Sequence, residues 1–186
     1  MAEISGLAVK TLPLFVEENF GAEGVERWKE ELDDEMREVF GKPIAVNEWF
    51  EINKYIIEPT KLVCNLFYNG DEKAAWTFGR FSAEYGLKGV LKLFIKMGSV
   101  SFFVNRAAAV IPHYYRPLIM EVLVNEKRHA LIILKDFPDI HRLIEYRIAG
   151  WMERALEISG CKNVDLQIPK SIINGDDVTE FNIHWD

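Results

Sequence analysis

The chain has 186 residues, 49% of them hydrophobic, and a net charge of -7 with a pI near 5.2. A chain of this size buries roughly 70% of the surface its unfolded form exposes, so a core needs no disulfide or metal staple. The acidity, with no concentrated run of Lys and Arg, argues against nucleic-acid binding. The absence of a basic leader or an unbroken apolar run argues against secretion and a membrane span.

The hydrophobic period is helical over about residues 1–115 and strand-like, around one helix, over about 116–186, within a single domain. Residues 9–20 and 22–32 read as helices separated by Gly21, and Asp33 to Phe40 adds a turn stopped by Gly41 and Pro43. The segment 48–68 has a helical period that Pro59 must kink or split, because proline donates no backbone hydrogen bond. Asn69-Gly70-Asp71 is a turn with Asp71 placed to cap the next helix. Residues 74–97 form one long helix, or two joined near Gly86. Gly79, Gly86 and Gly89 each cost about 1 kcal/mol against Ala there, which points to close approach by another backbone or by a ligand. Ser99 caps a helix running to about His113. After Pro117, residues 118–124 and 130–134 flank a hairpin loop. Pro138-Asp139 opens a helix with Leu143, Ile144, Ile148, Trp151 and Met152 inward, and Arg142, Glu145, Arg147, Glu153, Arg154 and Glu157 outward. Gly160 closes it in the left-handed position. Residues 164–168 and 178–185 are strands joined through an Asn174-Gly175-Asp176 turn. The sum is an α+β chain: an N-terminal helical half packed with a four-stranded antiparallel sheet and one crossing C-terminal helix.

Conventional catalytic signatures are missing. There is no GxSxG, no phosphate-cradling glycine loop and no Cys with a neighbouring His. No catalytic residue or metal ligand is therefore assigned, although an enzyme using paired carboxylates stays open. His141 and Glu145 at i,i+4 could hold two sides of a metal, but without a third ligand nearby they read as surface residues. His113, before Tyr114-Tyr115-Arg116, is open to two readings: a contact to haem or an anion, or a helix end satisfying its last carbonyls. Cys64 and Cys161, far apart and without CxxC spacing, read as free thiols in a reducing cytoplasm. Between Glu17 and Glu38, ten acidic residues face Arg27, Lys29 and Arg37. They form a solvated helical face or an acidic docking patch.

Aromatic rings crowd residues 49–103, interleaved with Ala74, Ala75, Gly79, Ala83 and Gly86. Large rings among small residues either fill a core or leave an apolar pocket with one or two polar anchors. Arg80 and Glu84, one turn apart, are an ion pair, or Arg80 anchors an anionic head group.

Several segments together resemble a known family: Trp49-Phe50, then Ala75 to Leu93, then Ala149-Gly150-Trp151 with Arg154-Ala155-Leu156, then Asn174-Gly175-Asp176 to Phe181 and Trp185. The set is similar to a domain family of unknown function abundant in myxobacteria, related to the 4-vinyl-reductase domain and through it to the haem–nitric-oxide-binding and Golgi transport-complex folds. The resemblance implies a helical half on a four-stranded antiparallel sheet, an interior pocket for an apolar ligand, a bacterial source and dimer formation. Two cysteines that such domains carry around the last turn are Ser171 and Thr179 here, which removes a metal or thiol role. The Tyr-x-Ser-x-Arg clamp of the haem relatives is missing, so no cofactor is expected. The leading expectation is a cytoplasmic small-molecule-binding or sensing module for an apolar or lipid-like ligand. Trp76, Phe81, Tyr85 and Trp151 are its expected walls and Arg80 its anchor. The alternative is an interaction or homodimerisation domain without a ligand.

Overall fold

A computed structural model of the chain describes residues 1–87, 100–138 and 140–186, without the side chains of 101–103, 106 and 107. The expected stretch of helix from 88 to 97, with Gly89, and the Ser99 cap lie outside the described residues.

The helical half opens with a strand that is too short to carry a period. β1 (Glu3–Ser5) runs into a single-turn helix α1 (Gly6–Val9) and then α2 (Thr11–Glu30). Gly21 sits inside α2 at φ 68°, so the expected break is a kink rather than a gap. α3 (Asp34–Phe40) starts on Asp33, whose carboxylate accepts from the Met36 N–H at 2.7 Å. All ten acidic side chains between Glu17 and Glu38 are exposed, so the acidic run is a solvated face.

The helical reading of 48–51 is corrected. Trp49–Glu51 is a strand, β2, followed by a π-helical turn (Asn53–Ile57) and α4 (Glu58–Phe67) with Pro59 in its first turn. A three-residue strand followed by a helix mimics one helical stripe. α5 (Ala74–Leu87) follows the Asn69-Gly70 turn, in which both residues have positive φ. α6 (Val100–Val110) ends in a 3-10 turn (Ile111–His113), and β3 (Tyr115–Arg116) leads to a cis Arg116–Pro117 bond. β1 pairs antiparallel with both β2 and β3, setting Ile4 opposite Phe50 on one side and Tyr115 on the other. This small sheet corrects the view of the first 115 residues as helix alone.

The second half follows the expectation closely. β4 (Ile119–Glu126), β5 (His129–Lys135), β6 (Asp165–Gln167) and β7 (Thr179–His184) form an antiparallel sheet in the order β4-β5-β7-β6. Ala130, Ile132 and Leu134 alternate inward on β5 as Phe181 and Ile183 do on β7. The crossing helix α7 (Arg142–Ile158) begins at His141, and Gly160 has the left-handed φ expected after it.

His141 caps α7 through its ring: Nδ1 accepts from the Leu143 N–H at 3.2 Å. Burial, with Lys61 and Arg142 nearby, lowers its pKa, against the opposing pull of Glu72 and Glu58. A base whose folded pKa is depressed stabilises the fold above its unfolded pKa and loses that contribution as pH falls. The thermal midpoint is therefore expected to drop between about pH 7.5 and 5, and His141→Asn, which caps at every pH, to flatten that part of the profile. Equal pH profiles for the two proteins would remove the cap from the account.

α5 and α7 cross with glycine against backbone on both sides. A Cβ on Gly79 would lie 2.0 Å from the Arg147 carbonyl oxygen, and one on Gly150 would lie 2.0 Å from that of Trp76. The close approach inferred from glycine spacing is thus a helix–helix crossing at Gly79.

Candidate functional site

α7 is enclosed on two sides, by α5 and by the segment leading into β7. For that reason two charged residues expected outward are buried: Glu145 is 0% exposed and Arg147 4%. Their environments differ.

Glu145 is fully paired. Ser171 Oγ donates to it at 2.8 Å, Thr179 Oγ1 at 2.6 Å and Arg142 Nη1 at 2.8 Å. Arg142 also reaches Asn174 Oδ1 at 2.5 Å, and the Asp176 carboxylate accepts from the Ser171 N–H at 2.8 Å. Ser171 and Thr179, which stand where the resembled domains carry cysteines, are therefore the two hydroxyls that hold a buried carboxylate. His141 and Glu145, weighed above as a metal pair, are a helix cap and this carboxylate.

Arg147 has only neutral partners. Its Nη2 donates to the Ala8 carbonyl at 2.9 Å and to Thr11 Oγ1 at 3.2 Å, and its Nη1 to the Tyr115 hydroxyl at 3.3 Å. The Phe78 ring lies 4.4 Å from the guanidinium. Among the described residues no carboxylate forms an ion pair with it, and burial lowers its pKa. Ala8 lies in the last turn of the short helix α1, where carbonyls are open to outside donors.

Arg147 borders a recess where four segments meet. α1 and the start of α2 contribute Leu7, Ala8 and Thr11, and α5 contributes Ser82, Tyr85 and Gly86. The turn after α6 brings Ile111, Tyr114 and Tyr115; α7 brings Arg147, Ile148 and Trp151. The Thr11 hydroxyl donates to the Ala8 carbonyl at 2.7 Å, so the 3.1 Å contact with Ser82 Oγ has serine as donor. Gly86 leaves one wall open, because among the described residues a Cβ there would meet only the Tyr114 hydroxyl, at 4.0 Å. Burial raises the pKa of the Tyr114 and Tyr115 phenols. At the mouth, Tyr85 is 37% exposed and Lys10 lies over its ring at 5.5 Å.

Of the five residues expected to form a site, Tyr85 and Trp151 line this recess. Phe81 stacks on Tyr85 and packs against Phe15. Trp76 donates its indole N–H to Glu153 at 2.9 Å. The Arg80 guanidinium is engaged by Glu153 and by Glu157, at 2.8 Å to the latter. It does not pair with Glu84, whose partner is Arg154 at 2.7 Å. Sequence reasoning passed over Arg147, Thr11 and Ser82. Only the glycine at 86 signalled that the helix at this point needed room.

None of the four histidines lines the recess. His113 is exposed, His129 stacks on His184 at 4.4 Å, and His141 caps α7. Among the described residues no group of three or more His, Cys, Asp and Glu side chains is placed to hold a metal ion, and no helix is long and apolar enough to cross a membrane.

No family model matches the sequence, and no curated protein matches it. Solved structures do. The H-NOX protein from Shewanella oneidensis in the Fe(II)NO ligation state superposes with a TM-score of 0.70 at 13% identity, over 98% of this chain and 99% of that one. The Fe(II) unliganded H-NOX protein from K. algicida gives 0.66 at 15% identity, over 98% and 97%. A Cs H-NOX mutant carrying 4-cyano-L-phenylalanine at its site 5 gives 0.69 at 11%, again over 98% and 97%. The chain therefore has the H-NOX fold along nearly its whole length.

Proposed function

We propose that this chain is a small-molecule-binding, sensing module whose ligand occupies the recess between α1, α5, the turn after α6 and α7. The observation that carries the reading is the hollow itself. Four segments converge there, with Gly86 leaving a wall open. Tyr85, Tyr114 and Trp151 offer ring surface, and Ile111 and Ile148 offer aliphatic surface, for an apolar ligand body. A sensing role suits the fold shared with H-NOX proteins, and also the resemblance to 4-vinyl-reductase-related domains of myxobacteria. A cytoplasmic setting goes with this reading, because Cys64 and Cys161 are buried free thiols.

Haem, the iron group of that fold, does not fit these residues. Haem iron takes His, Cys, Met or Tyr as its axial ligand. The recess presents no His, Cys or Met among the described residues. Its buried tyrosines have raised pKa values, which opposes the phenolate that iron would need.

Native mass spectrometry of the freshly purified chain, followed by denaturing extraction, tests the reading. A mass excess that disappears on denaturation, and is absent from a Gly86→Leu variant, is the expected result. A clean apo-protein mass that no added small acid or amide alters would contradict it. The second reading, a homodimerisation module, is favoured by Ile119 and Leu123, 42% and 54% exposed on the edge strand β4. Light scattering on a size-exclusion column decides it, a strict monomer at high concentration counting against it.

A further inference from the structure

Arg147 gives the recess a chemical preference. It is a guanidinium with almost no access to water, yet its protein partners are a carbonyl, a hydroxyl and a phenol. Arginine keeps its charge under all ordinary conditions, so these contacts solvate the charge without cancelling it. The fork has five N–H donors, and the recorded bonds leave Nε–H and one Nη1–H without a protein acceptor among the described residues.

Elsewhere among the described residues buried charge is not left in such a state. Glu145, wholly buried two residues away on the same helix, is matched by Arg142. Arg80, far more exposed than Arg147, holds two carboxylates. An uncompensated buried charge is costly, and one that borders a cavity has an obvious counter-ion in whatever fills the cavity.

We infer that the recess takes a small organic anion, an apolar carboxylic acid whose carboxylate supplies the counter-ion that Arg147 lacks. The inference rests on the reading of the recess as a ligand site. One buried cation suits a monoanion. Tyr114, on the recess wall, brings a hydroxyl that can donate to a carboxylate oxygen. The rings of Tyr85 and Trp151 then flank the apolar body. Lys10, which also has no acidic partner among the described residues, stands beside Tyr85 where an incoming anion passes.

The test is calorimetric titration of the full chain with 3-phenylpropionate and octanoate, each set against its primary amide. The amides match the acids in shape and lack only the charge. Each acid is expected to bind at least about tenfold more tightly than its amide, the preference a charge-assisted hydrogen bond supplies. Arg147→Gln is expected to abolish the preference and leave the amide affinity within a few-fold. Lys10→Gln is expected to preserve the preference, and Gly86→Leu to weaken acid and amide alike. The acid–amide contrast in the unaltered chain stands even where Arg147→Gln fails to fold. Acid and amide binding equally, both weakened by Gly86→Leu, would overturn the anion and leave the recess as a ligand site. Binding of neither, or binding indifferent to Gly86→Leu, would overturn the recess and the anion together.

Discussion

Gly79→Ala and Gly150→Ala are each expected to destabilise the chain by about 3 kcal/mol or more, at the upper end of overpacking costs. The reason is geometric. Each new Cβ would lie 2.0 Å from a carbonyl oxygen of the facing helix, and backbone cannot rotate aside as a flexible side chain can. α5 and α7 would have to separate, and the pairing of Arg80 and Trp76 with Glu153 spans that same crossing. Gly86→Ala is the control. It sits on the same helix as Gly79, and among the described residues nothing lies nearer its new methyl than the Tyr114 hydroxyl at 4.0 Å. It is expected to be neutral or to gain up to about 1 kcal/mol from helix propensity. Urea denaturation of the three variants reads the contrast directly, and three equal midpoints would refute the crossing.

The second large effect is expected at Glu145. Replacing it with Ala removes the acceptor of Ser171, Thr179 and Arg142 at once, for a cost of about 3–5 kcal/mol, the range for breaking a buried ion pair from one side. Glu145→Gln keeps one acceptor oxygen and is expected to lose less. Ser171→Ala and Thr179→Val each remove one donor and should cost about 1–2 kcal/mol. A Glu145→Ala loss below about 1 kcal/mol in the same denaturation experiment would mean that the cluster contributes little.

The sheet half was the legible half. Period-2 alternation over 164–168, the turn at Asn174-Gly175 and the stop at Gly160 are local signals, and the structure follows them. The small sheet was not legible: β1 and β3 have three and two residues, and their partners lie about 50 and 110 positions away in sequence. The site suffered from a different blindness. A helical wheel assigns one wet face, but α7 is covered by α5 on one side and by Ser171 and Thr179 on another. Glu145 and Arg147 therefore looked like surface charges. Arg80 drew attention because it stands among aromatic rings, yet its charge is spent on Glu153 and Glu157, 73 and 77 positions away. Which of two arginines keeps an unspent charge is decided by tertiary pairing, and no spacing rule reports that.

The most direct measurement is a crystal structure of the full chain grown with 3-phenylpropionate. The expected result places the carboxylate within hydrogen-bonding distance of the Arg147 guanidinium, with the phenyl ring between Tyr85 and Trp151. A recess filled by the chain's own side chains, or the acid bound only on the outer surface, would contradict the account.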